Sequence, residues 1–288
     1  MIPARELVER AAYERWQRRG MHHGADREDW VAAEQDVFFA LNYETVAEYQ
    51  LDEGEPKVIG NGRRPRCRFC EQSPPRATFS YVRRALPEEL GSVALMTREI
   101  CDECADQFSQ TIDKDFLRFW ESLEGLRGGT ASFRELRAPA GMPIPAYKAL
   151  IRMALSIMPE EELPNFTDAI EWVGNPDHQF DSGLFGGVGC LLYQLQTPYP
   201  GPWAGLTRRV DEEAPLPYML FFLASGRIVL QLHLPLCSRD QDLDGIEARM
   251  PERSFSTGIG SDLRPATCLA LPLDTPAQAS RSLRFRLF

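Results

Sequence analysis

No stretch of this sequence holds the ~20 consecutive apolar residues that a membrane-spanning helix needs. The first twenty residues, rich in Arg and Glu, lack the apolar core of a secretory signal. A cytoplasmic protein is therefore expected, with no membrane partner. Histidine is scarce: His22, His23, His178 and His233 are the whole supply of imidazole for general-base or ligand chemistry. Neither a Gly-x-Ser-x-Gly elbow nor a His-Glu-x-x-His helix occurs, so the α/β-hydrolase and zinc-protease signatures are missing. The seven cysteines are an odd number, which excludes a framework of complete disulfide pairs. Nor is there an excess of positive charge: the formal net charge of -10 argues against a protein that binds nucleic acid over its whole surface.

Within the 288 residues, 43% hydrophobic, there is enough apolar material for a sizeable core and for two or three domains. The first forty residues carry helical periodicity. Val8, Ala12 and Trp16 share one face of a helix over 3–19 that Gly20 stops, and Trp30, Ala33, Val37 and Leu41 mark a second helix that Asp26 is placed to cap. Residues 1–43 thus form a helical hairpin, with His22 and His23 in its turn. The polar stretch 44–65, with Gly54, Pro56, Gly60, Gly62 and Pro65, reads as a linker. Residues 140–288 read as a helix pair, over 145–158 and 163–173, followed by a small antiparallel sheet. Its strands fall at 190–195, 218–224, 227–236, 267–273 and 282–287, and Ser225-Gly226 supplies a hairpin turn. The fold class is α+β.

Between linker and helix pair, over 66–126, lies the strongest chemical signal. Cys67-Arg68-Phe69-Cys70 and Cys101-Asp102-Glu103-Cys104 are two Cys-x-x-Cys knuckles thirty residues apart. Four thiolates at this spacing suit a tetrahedral, closed-shell Zn2+ ion and leave no position for a reactive water, so the expected cofactor is structural zinc. A redox reading is weaker, because redox pairs need a strand-to-helix setting and do not come doubled. Cys190, Cys237 and Cys268, scattered through apolar stretches, read as small hydrophobes.

The segment is also locally basic. Over 57–100 lie Lys57, Arg63, Arg64, Arg66, Arg68, Arg76, Arg83, Arg84 and Arg98, against Glu71, Glu88, Glu89 and Glu99. Interleaved with Phe69, Phe79 and Tyr81, the arginines Arg66, Arg68, Arg83 and Arg84 are candidates for gripping phosphates and stacking on bases. The alternative is that they pair with carboxylates such as Asp102, Glu103, Asp106, Asp113 and Asp115.

Two resemblances add to this. Ala12-Tyr13-Glu14-x-Trp16-x-x-Arg19-Gly20 with His23-Gly24-x-Asp26-x-x-Asp29-Trp30-x-x-Ala33-Glu34 resembles a short bacterial helical domain of unknown function. The knuckles, together with Leu86-Pro87-Glu88-Glu89-Leu90-Gly91, resemble the zinc-binding HNH endonucleases over about residues 66–123. That resemblance implies a treble-clef finger with a catalytic His on its hairpin and an Asn after the last cysteine. Here those positions hold Arg84 and Ala105. Arginine stays protonated at neutral pH and is no base, so the expectation is no catalytic residue and a binding role toward nucleic acid or protein. An active nuclease would need its base from His178 or His233.

Two weaker patterns complete the reading. Asp240, Asp242 and Asp244 lack the closing Glu of a calcium loop and read as a solvated acidic turn. Residues 183–189 are Gly-rich but lack the Lys of a phosphate loop, and read as a turn.

Overall fold

A computed structural model describes residues 5–52, 54–60, 65–91, 95–132, 141–177, 190–243, 250–255 and 266–274. Arg63, Arg64, His178, Asp244, the Gly-rich stretch 183–189 and the last expected strand lie outside them.

Helices α1 (Arg5–Arg18) and α2 (Asp26–Asn42) form the expected hairpin. Gly20, at φ +78°, provides the left-handed stop after α1. The inner face is partly ionic. Arg19 Nη2 meets Asp29 Oδ2 at 2.6 Å, and Arg15 Nη1 reaches Asp36 Oδ2 at 3.4 Å. Asp26 is the first residue of α2 rather than its cap; Ala25 holds the cap position and makes no side-chain bond to the helix end.

The polar segment after the hairpin departs from the linker expectation. Helix α2 runs directly into β1 (Tyr43–Gln50), and β2 (Lys57–Ile59) follows. β1 is an edge strand of a six-stranded antiparallel sheet in the order β1-β7-β8-β9-β6-β10, with β6 at Cys190–Gln194, β7 at Trp203–Arg209, β8 at Met219–Ser225, β9 at Ile228–His233 and β10 at Thr267–Leu271. The edge position explains why β1 is polar: only Tyr43 and Ala47 of its eight residues are buried.

The inner strands are buried on both faces, which is why they read as continuous apolar runs. Phe221, Leu223, Leu230 and Leu232 face one layer, where the helices lie. Leu220, Phe222 and Val229 face the other, where Phe39 of α2 meets Phe222 edge-on at 5.8 Å and Phe255 closes the cluster.

The helical layer contains α4 (Ile112–Ser122) and α6 (Ile144–Ile157), with α5 (Glu124–Gly128) and the short β5 (Met142–Pro143) between them; β5 pairs in parallel with β11 (Leu273–Asp274). Helix α6 is buried all round, including Lys148, Arg152 and Ser156. The expected second helix of this pair begins as a 3-10 segment (Glu160–Phe166) containing Pro164 and becomes α7 only over Thr167–Gly174. The remaining elements, β3 (Arg83–Arg84), β4 (Leu95–Thr97) and α3 (Asp102–Gln110), belong to the cysteine-rich segment. β2, β4 and β3 make a three-stranded sheet in that order. Its core is continuous with the helical layer: Phe108 and Ile112 belong to the same apolar cluster as Leu150 and Phe221. The chain is therefore α+β, with N-terminal helices, a four-cysteine cluster and a C-terminal antiparallel sheet. Among the described residues, no helix is long and apolar enough to cross a membrane.

Candidate metal centre and the adjoining groove

The first cysteine pair lies on a tight turn over 67–72. Cys67 N–H donates to Gln72 O at 2.9 Å and Glu71 N–H to Cys67 O at 2.9 Å, with Glu71 in the left-handed region at φ +58°. The second pair opens α3: Cys101 is the N-cap residue, and its sulfur accepts from Cys104 N–H at 3.4 Å. The β3/β4 hairpin lies between the pairs in sequence and turns the chain back.

The four Sγ atoms all lie within 4.8 Å of one another, and Cys70 and Cys101 approach to 3.6 Å. Sulfurs ~2.3 Å from a central ion would sit ~3.8 Å apart in a tetrahedron, so this spacing fits a four-thiolate ion. Cys67, Cys101 and Cys104 are buried and Cys70 half-buried. Among the described residues no other group of three or more His, Cys, Asp or Glu is placed to hold an ion.

Unequal hydrogen bonding separates the thiols. Cys67 is pulled down to about 5, foremost by its bond with Cys104 and then by backbone N–H groups. Cys104, donor in that pair and also buried, is held far up, and burial pushes Cys101 up to about 11. Metal binding to thiols of this kind releases protons, because the ligand is the thiolate.

Beside this centre, between β3, α3, α4 and α6, lies a groove of about 250 Å³. Arg84 and Ala105 both line it. No histidine does. Leu86, Phe108 and Leu117 supply apolar wall, and Asp113 and Arg152 close one side.

The candidate arginines are arranged otherwise than as a free basic face. Arg68 is a correction: its side chain is 5% exposed and turned inward to Glu99 and to main-chain oxygens of α6 and the residue after it. It cannot reach a surface ligand, because its position between two cysteines of a tight turn points it into the core. Arg66 pairs with Glu71 at 3.4 Å on the surface, Arg83 with Asp102 at 2.8 Å and Asp106 at 3.7 Å, and Arg84 with Glu88 at 3.1 Å. Asp102 is tied down twice. The Ser80 N–H and then the Arg83 guanidinium hold its carboxyl well below the usual range.

His233 is remote from the groove, on β9, where its Nε2 lies 3.2 Å from Asp240. Asp240 also accepts from Arg209 Nη1 at 3.0 Å and Tyr218 N–H at 2.9 Å. It is an internal anchor with a side chain 10% exposed, which corrects the reading of a solvated acidic turn for this residue. His22 and His23 are exposed in the α1–α2 turn, and His23 packs 5.8 Å from the Trp16 ring. Cys190 and Cys237 are buried and Cys268 half-buried.

Fold and site together define an α+β protein carrying a four-cysteine group that can hold one metal ion. Residues 5–38, the α1–α2 hairpin, match the model of a family described as "Protein of unknown function (DUF2934)". No curated protein and no solved structure matches the chain.

Proposed function

We propose that this is a zinc-stabilised interaction protein whose four-cysteine centre is structural and whose finger, of treble-clef type, binds a partner without cutting nucleic acid. The observation that carries the reading is the set of four sulfurs within 4.8 Å, three of them buried. Four thiolates complete the coordination of zinc, so the ion would organise the chain and would not activate water. The order of turn, hairpin and helix, with one cysteine pair on the turn and the other at the start of α3, supports the treble-clef assignment.

The absence of a base is local. Arg84 holds the position of the nuclease His, its guanidinium is paired with Glu88, and Ala105 offers no ligand. His233 is committed to Asp240. Protein is favoured over nucleic acid as partner because Arg66, Arg83 and Arg84 each face a carboxylate and Arg68 is buried. Exposed Arg76 and Arg98 support the nucleic-acid reading as the second one: neither has an ion-pair partner among the described residues.

The test is supercoiled-plasmid nicking and gel shift by zinc-loaded protein in magnesium, manganese or nickel, beside Arg84→Glu. No nicking, and weak binding indifferent to Arg84→Glu, is expected. Nicking that co-purifies with the protein and is lost in His233→Ala would overturn the non-catalytic reading. Tight binding lost on Arg84→Glu would move the partner to nucleic acid.

A further inference from the structure

We propose that metal occupancy of the four-cysteine centre sets the seating of the finger on the ends of α6 and α7, with the knuckle residue Arg68 as the latch. The inference rests on the zinc reading and goes beyond it: the ion would control a joint between two parts of the chain as well as stabilise its own finger.

Arg68 stands between the candidate ligands Cys67 and Cys70, yet its side chain belongs to a different structure. Nη1 donates to Leu155 O at 2.8 Å and Met158 O at 2.7 Å, the last turn of α6 and the residue beyond it. Nε donates to Glu99 Oε2 at 2.6 Å, and the backbone N–H to Glu99 O at 2.8 Å. No basic residue of α6 lies in its own last turn, so Arg68 is the cation at that negative helix end. Leu155 and Met158 are sealed from solvent, at 0% and 1% exposure, and Glu99 is also buried. If the guanidinium left, two buried carbonyls and one buried carboxylate would each lose a charged donor, which is costly where water is excluded.

The end of α7 meets the same turn. Gly174 lies in van der Waals reach of the Phe69 carbonyl, an added Cβ falling 3.4 Å from its oxygen, and Gln107 Nε2 reaches Gly174 O at 3.4 Å. Phe69 meets Phe108 of α3 edge-on at 4.8 Å, which fixes the turn against α3. Residues 65–82 contain no helix or strand: short backbone bonds and the Phe69–Phe108 contact shape the turn, and a metal on the sulfur cluster would add the tie from Cys67 and Cys70 to Cys101 and Cys104 at its base. Metal binding is folding energy in such a segment. Loss of the ion would release the turn, withdraw Arg68, and open the ends of α6 and α7 together, while the six-stranded sheet keeps its strand pairing and the cluster on its α2 side.

The test is hydrogen–deuterium exchange on the full chain, metal-loaded and after chelation in the presence of a reductant, for wild type, Arg68→Met and Arg68→Lys. Native mass spectrometry counts metal in the same samples. In wild type, chelation is expected to raise exchange over residues 153–162 and 170–176 by about tenfold while residues 219–233 are unchanged. Arg68→Met should keep one metal per chain and show that raised exchange with metal bound; Arg68→Lys should fall between. Metal present in wild type with no change at the α6 end on chelation, an Arg68→Met protein that exchanges like wild type, or opening of the sheet along with the helices would each overturn the latch and leave the zinc reading standing. A native protein with no metal would overturn both.

Discussion

Arg152 Nη2 lies 2.9 Å from Asp113 Oδ1, joining the middle of α6 to the first turn of α4 beside the groove, while Nη1 of the same guanidinium donates to Ala85 O at 2.7 Å. One side chain thereby holds the finger sheet, α4 and α6 in register. Both partners are largely withdrawn from water, at 4% and 15% side-chain exposure. Breaking such a pair leaves an unpaired buried charge, so Arg152→Ala should cost about 3–5 kcal/mol in a urea titration. Replacing the pair jointly, by Arg152→Met with Asp113→Leu, should recover most of that loss.

Removal of one thiolate separates the metal's role from that of packing. Cys101→Ser is expected to fall below one zinc per chain by mass spectrometry and to melt lower than wild type. The difference should vanish when wild type is measured in excess chelator, because the same free energy is then missing from both. Full zinc content with unaltered melting would remove Cys101 from the ligand set.

Lys148 gives a pH signature. Burial on α6, opposed only by Asp177, lowers it from an ordinary 10.5 to about 8, where its ammonium donates to Asn175 O and lies 5.1 Å over the Trp172 ring. Between those two values the unfolded chain holds the proton more tightly than the folded one, so stability contributed at this site rises with pH across the window and is flat below it. Wild type should therefore gain on Lys148→Met by about 3 kcal/mol as pH is raised from 8 to 10.5 in matched denaturant titrations. A constant difference would mean that the ammonium is well solvated.

Gly60 has a conformational and a steric reason to be glycine. Its φ is +94°, and an added Cβ would lie 2.3 Å from the Glu99 carboxyl carbon. That carboxylate is pinned by Arg68, so it cannot step aside cheaply. Gly60→Ala should destabilise by about 2–4 kcal/mol, measured by thermal unfolding. Gly24→Ala, at φ +105° but with open space around it, should cost less.

Much of this was legible in the residues, for identifiable reasons. Two Cys-x-x-Cys pairs are a ligand pattern with one stable geometric solution, so their convergence was expected from spacing alone. The α1–α2 hairpin showed itself through its apolar period and Gly20, and the inner strands through unbroken apolar runs. β1 did not, because an edge strand needs only one buried position in several and the glycines just after it dominate the pattern. β7 was missed too: Gly205 and the arginines Arg208 and Arg209 interrupt its apolar run, although six of its seven residues are buried. The inward turn of Arg68 was invisible for another reason. Charge in a sequence is read as surface by default, and only the three-dimensional partners, a carboxylate and two carbonyls from the end of α6 and the residue just beyond it, say otherwise.

The direct passage from α2 into β1 changes how this protein can be divided. A cut beyond Gln50 would carry β1 away with the hairpin and leave β7 without its neighbour. The Trp203 indole N–H, which donates to Glu48 Oε1 at 2.8 Å, would lose its acceptor, and the sheet would offer a fresh unpaired edge. The hairpin is thus spliced into the sheet rather than hung from it. Anyone trimming the hairpin away should place the cut between Asn42 and Tyr43, which leaves β1 on β7, and expect a remainder cut beyond Gln50 to self-associate through β7.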